Sequence, residues 1–126
     1  MREIAITEPG GPEVLQLVEG VRPRPGPGEI LIKVAAAGIN RADIVQRYGF
    51  YPPPPGAPDT PGLEVAGEVC ELGEGVAQWQ AGDRVCALLA GGGYAEYALA
   101  AAPECLPVPR GMSFEEAAGQ IGRAHV

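Results

Sequence analysis

Metal-binding side chains are scarce in this sequence. It has one histidine, His125, and three cysteines, Cys70, Cys86 and Cys105, with no Cys-x-x-Cys pair. That argues against a disulfide framework and a structural zinc site, and predicts the thiols to be small buried apolar groups. Basic clusters are missing too. The 9 Lys and Arg are scattered against 16 Asp and Glu, for a formal net charge of −7, so the electrostatic footprint of a nucleic-acid binder is absent. No apolar run approaches the ~20 residues of a membrane-spanning helix, and the opening Met1-Arg2-Glu3-Ile4-Ala5-Ile6 has no signal-peptide layout. The expectation is a cytoplasmic protein with neither nucleic acid nor membrane as partner.

Turn-forming residues are abundant. The 19 Gly and 14 Pro exceed a quarter of the 126 residues. Short β-branched runs recur between them, which predicts many short strands joined by tight turns. With 46% hydrophobic residues the chain can build a packed core, and its length suits one domain. Met1–Ile6 and Val14–Val18 flank Pro9-Gly10-Gly11-Pro12 and read as a hairpin. Glu29–Ala37, the longest β-branched run, predicts a central strand. Val65–Leu72, Asp83–Leu89 and a run from Tyr94 through Leu99 predict three more, and the pattern is that of a small, partly closed β-barrel, mainly β with one or two short helices.

Asn40 has the chemistry of an N-cap, with Asp43 three residues on as a capping-box acid. Ile39 and Ile44 suit the accompanying staple and Gly49 a C-terminal stop, so the spacing predicts a helix over 41–48. Tyr51-Pro52-Pro53-Pro54-Pro55-Gly56 predicts a stiff extended loop, since four successive residues lack an N–H. Ser113-Phe114-Glu115-Glu116 has the spacing of a second capping box, which predicts a helix that begins at about Phe114 and runs into the end. Ile121–Val126 reads like the translation of a sequencing-library adapter. The domain is therefore expected over 1–118, with 119–126 as a truncated, non-native tail, and His125 gets no functional reading.

Five segments, in order, resemble the amino-terminal GroES-like catalytic domain of medium-chain dehydrogenases/reductases. They are Gly10–Leu15, Pro25–Val34, Gly38–Asp43, Pro61–Val69 and Ala81–Val85, and the resemblance covers about residues 1–118. Zinc alcohol dehydrogenases carry a Cys-His pair where this chain has Asn40-Arg41, and a His where it has Leu63; Asn, Arg and Leu do not supply the thiolate and imidazole ligands that zinc wants. The four-Cys lobe of zinc-containing relatives is absent between Leu89 and the triple glycine Gly91-Gly92-Gly93. The chain therefore resembles the zinc-free, zeta-crystallin-like quinone oxidoreductases, helped by the Tyr51-Pro52-Pro53-Pro54 loop typical of that branch.

The resemblance implies NADPH (or NADH) as cofactor of the complete protein, no zinc, a quinone or related enone as substrate, and a homodimer. It also implies a Rossmann domain, which is missing from this chain, so the isolated chain is expected to be inactive and, with an interface uncovered, poorly soluble. A zinc-free enoyl thioester reductase is the alternative on the same fold, and a stand-alone co-chaperonin-like GroES module the remote one.

For individual residues the resemblance places the Asn40 amide beside the nicotinamide ring, whereas the residues alone make Asn40 an N-cap; the cap position allows both. Tyr51 is either a phenol at the pocket mouth, bonding or stacking on a quinone, or an aromatic under a loop. Arg41 and Gln46 either line the substrate cleft or are solvated helix residues. Asp43 reads better as a capping acid than as a catalytic one, and Glu64 as a buried structural carboxylate. Gly62, Gly67 and Gly82 are expected at turns or close backbone approaches. The triple glycine does not read as a phosphate loop, because strand rather than helix is expected after it.

Overall fold

The computed structural model describes residues 1–6, 8–38, 43 and 60–124, with side chains as far as 119. Seven strands occur among the described residues. A hairpin pairs β1 (Arg2–Ile6) with β2 (Leu15–Glu19), antiparallel, in the register Arg2↔Glu19 to Ile6↔Leu15. Pro12–Val14 forms a short 3-10 turn, so β2 begins one residue later than the sequence predicts. The main sheet runs in the order β6-β3-β4-β5-β7, all antiparallel, from β3 (Glu29–Ala37), β4 (Glu64–Leu72), β5 (Arg84–Leu88), β6 (Tyr97–Ala101) and β7 (Cys105–Pro107). The hairpin is stitched to it through a bridge of Glu3 with Ala95, with Ile4 N–H donating to the Tyr94 carbonyl at 2.8 Å and Glu96 N–H to the Arg2 carbonyl at 3.0 Å. The predicted partly closed, mainly β barrel is what forms.

Alternation along β4 and β5 sorts their side chains into two layers, as a pleated strand must. Val65, Val69, Val85 and Ala87 point to the barrel interior with Ile30, Ile32 and Ala100. Ala66 and Cys86 point the other way and are covered by Ala117 and Ala118 of α1 (Phe114–Ala124). Small residues on both sides let the helix lie close to the sheet. Each fully buried Ile or Val contributes roughly 1.5–3 kcal/mol, so the interior layer is the main source of stability. Gly67 belongs to the backbone rather than to either layer. It pairs with Val34 next to a register shift in β3, and a Cβ there would run into the Lys33 carbonyl oxygen.

The second capping box is formed in full. Glu116 N–H donates to Ser113 Oγ and Ser113 N–H to Glu116 Oε1, both at 3.1 Å, while the Arg84 guanidinium stacks 4.4 Å from the centre of the Phe114 ring. Ser113→Ala should cost about 1 kcal/mol in urea unfolding, with Ser113→Asp near neutral; equal losses in both would deny the cap its role. As the sequence predicts, the helix begins at Phe114 and runs toward the end of the chain, through Gly119 to Ala124. Of the helix predicted over 41–48 only Asp43 is described, and it is helical. The Tyr51 loop lies outside the described residues.

Candidate functional site

The end of β3 and the start of β4 converge at one mouth of the barrel. Gly38 N–H donates to the Glu64 carbonyl at 3.0 Å, and the Glu64 side chain, 3% exposed, fills the space in front of Gly38, where any Cβ would overlap its carboxylate. The expectation of a buried carboxylate at 64 is met.

The triple glycine closes the same mouth from the far side. Gly92 N–H donates to the Thr60 carbonyl at 2.8 Å, Gly93 N–H to Gly62 at 3.0 Å and Tyr94 N–H to Pro61 at 3.0 Å. Strand β6 therefore starts at Tyr97 and not at Tyr94 as the sequence suggests. The segment directly after the triple glycine leads into β6 rather than a helix, so the amides of Gly92 and Gly93 serve a backbone clasp rather than a phosphate cradle.

This clasp presents Tyr94 to Asp43. The phenol donates to Asp43 Oδ2 at 2.6 Å, the length of a charge-assisted O–H···O bond, and Asp43 is only 5% exposed. Burial, that bond, and the charges of Asp43 and Glu64 all push the Tyr94 hydroxyl well above the usual tyrosine range, so it keeps its proton. Sequence reading gave Asp43 a local capping role and gave Tyr94 none; the available signal was a tyrosine directly after three glycines, which was absorbed into a strand. The capping bond from Asp43 to residue 40 falls outside the described residues, as do Asn40, Arg41, Gln46 and Tyr51.

The Tyr94 residue also borders an open groove of about 330 Å³ between the hairpin and the end of β3, walled by Ile4, Leu17, Val34 and Ala37. The cysteines supply no nucleophile. Cys86 and Cys105 are buried on opposite faces of the sheet, half-buried Cys70 donates to the Leu31 carbonyl at 3.4 Å, and burial raises all three thiols, Cys105 to about 12. Among the described residues no three His, Cys, Asp or Glu side chains converge in a way that could hold a metal ion. Leu63 offers a metal ion no donor.

Residues 26–110 match the alcohol dehydrogenase GroES-like domain. The chain is 43% identical over 94% of its length to a quinone oxidoreductase of Rattus norvegicus, of which it spans 36%. Its fold superposes on an Escherichia coli quinone oxidoreductase solved in complex with NADPH, at 40% identity and a TM-score of 0.82, covering 94% of this chain and 36% of that one. A human synaptic vesicle membrane protein VAT-1 homolog-like protein is similar at 36% identity with a TM-score of 0.86, over 94% of this chain and 38% of its own. The chain thus spans little more than a third of the length of these relatives. Five ordered segments, a seven-strand partly closed barrel and this match agree: the chain belongs to the alcohol dehydrogenase GroES-like domain family.

Proposed function

We propose that the whole protein is an NAD(P)H-dependent oxidoreductase that passes hydride to a quinone or related enone without a metal, as a cytoplasmic homodimer. What carries this reading is the donor set that the resemblance implies: Asn40, Arg41 and Leu63 stand where zinc relatives carry their ligands, and none of the three supplies a thiolate or imidazole. Alcohol oxidation through a metal alkoxide needs a Lewis acid, whereas a quinone is already electrophilic and needs mainly aligned approach. The similarity to proteins named quinone oxidoreductases supports the same substrate class.

In this reading Asn40 and Tyr51 touch nicotinamide and quinone, and Arg41 and Gln46 line the cleft. The described residues hold no glycine-rich turn leading from a strand into a helix, so they do not fit the dinucleotide itself. That task is assigned to the rest of the protein. The test uses the full-length enzyme, following NADPH oxidation with an ortho-quinone and with an enoyl-CoA, with and without chelator, alongside metal analysis. Quinone turnover is expected to be indifferent to chelation, and Asn40→Ala should lower kcat by about tenfold or more. Stoichiometric zinc with alcohol oxidation would overturn the reading, and a higher kcat/KM for the enoyl thioester would replace the substrate.

A further inference from the structure

We infer that Tyr94 is a positioning residue: it holds Asp43, three residues after Asn40 in sequence, in fixed relation to the barrel. The inference deepens the proposed function and rests on its assignment of Asn40 to the reacting groups.

Both main-chain groups of Tyr94 are committed to the barrel. Its N–H donates to the Pro61 carbonyl at 3.0 Å and its carbonyl accepts from Ile4 N–H at 2.8 Å. Behind it Gly62 and Gly93 lie so close that a Cβ on Gly62 would stand 2.6 Å from the Tyr94 nitrogen and 2.7 Å from Gly93 Cα. The backbone of residue 94 therefore cannot shift without breaking the clasp, and the side chain is its one extension toward the opposite element. That extension ends 2.6 Å from Asp43 Oδ2, across 51 residues of sequence. Asp43 in turn lies three residues after Asn40 in sequence. A rigid barrel loop is thus coupled by a short, charge-assisted bond to Asp43, three residues in sequence from the proposed nicotinamide contact.

Tyr94 could instead be the acid that protonates the reduced quinone oxygen. The geometry argues against this, because its proton is directed at the Asp43 carboxylate and the surrounding negative charge opposes its release. Holding is the function that remains, and it matters because a displacement of about 1 Å at reacting groups can cost on the order of a hundredfold in rate.

The full-length protein carrying Tyr94→Phe, Asp43→Asn and both together decides the matter. Tyr94→Phe keeps the ring and removes only the donor; kcat with a quinone is expected to fall about tenfold, with KM for NADPH changed less than about twofold. Tyr94→Phe removes the donor and Asp43→Asn the charge that strengthens the same bond, so the double variant should be no slower than the slower single one. Independently of turnover, hydrogen exchange in the peptide containing Asp43 should quicken about tenfold in Tyr94→Phe, while peptides from β3 and β4 stay as in the parent.

Unchanged kcat in Tyr94→Phe, losses that multiply in the double variant, or unaltered exchange around Asp43 would each overturn the inference. If the parent enzyme transfers no hydride, the functional reading falls and the exchange experiment alone judges the holding role. If Tyr94→Phe fails to fold, Asp43→Asn probes the same bond from its other end with the same readouts.

Discussion

Gly62→Ala is expected to destabilise the domain by about 3–5 kcal/mol, most of the stability available to a domain this small, whereas Gly82→Ala should cost only about 1 kcal/mol. Both glycines have positive φ, +111° at Gly62 and +95° at Gly82, so both substitutions carry the strain of a side chain in that region. They differ in what a Cβ would meet. At Gly82 there is nothing within 4 Å, while at Gly62 it meets Tyr94 N, Gly93 Cα and Gly93 C at 2.6 to 2.8 Å, all backbone atoms that cannot rotate away. Relief would require opening the clasp that seats Tyr94. Urea unfolding of the two variants beside the parent measures the difference directly, and equal losses would show that the φ strain, rather than the backbone contact, governs this mouth of the barrel.

The strands that the sequence makes legible are those whose identity is local. Glu29–Ala37 is a run rich in β-branched and apolar residues after a Pro-Gly loop, and β3 has those bounds. The capping box at Ser113 is a four-residue pattern and forms as such. The errors come where a distant partner decides. Tyr94 looks like strand because aromatic and small residues follow it. Yet its carbonyl is taken by Ile4 of β1, and the amides of Gly92, Gly93 and Tyr94 by Thr60, Gly62 and Pro61, so bonding to β3 begins at Glu96 and β6 itself at Tyr97. The predicted helix from Phe114 continues through Gly119, where a glycine costs about 1 kcal/mol, because Ala117 and Ala118 just before it are buried against Ala66 and Cys86.

The site is legible to the extent that its chemistry sits in short motifs. Glu64 was readable as buried because Gly62 and Gly67 flank it, and the structure adds Gly38 as the residue that makes room for its carboxylate. Asp43 was readable only as a neighbour of Asn40. Its bond to Tyr94 spans 51 residues and is created by the clasp, a tertiary feature with no periodic or spacing signal. The polar handle on a buried tyrosine requires a partner; what the sequence withholds is which one.

Alkaline pH should destabilise the domain from about pH 9 upward, and the buried thiol and phenol give the reason. In the unfolded chain a thiol titrates near 9.0 and a tyrosine near 10.0; in the folded chain burial, the neighbouring Cys86 and Glu104 lift Cys105 to about 12, and Tyr94 is raised as well. Below pH 9.0 both states hold these protons and stability does not depend on them. Above that value the unfolded chain releases a proton that the folded chain keeps, so stability falls with rising pH until the folded group itself titrates. The slope has a ceiling of about 1.4 kcal/mol per pH unit for each such group, lowered by solvent screening of the partly exposed Tyr94. Melting temperatures of the parent, Cys105→Ala and Tyr94→Phe, taken between about pH 8 and pH 11, test this. The parent should lose stability across that range while Cys105→Ala flattens the early part, from about pH 9, and Tyr94→Phe the later part, from about pH 10. A parent curve level to about pH 11, or variants that merely shift it downward without changing its slope, would mean that these groups release their protons as readily inside the barrel as outside it.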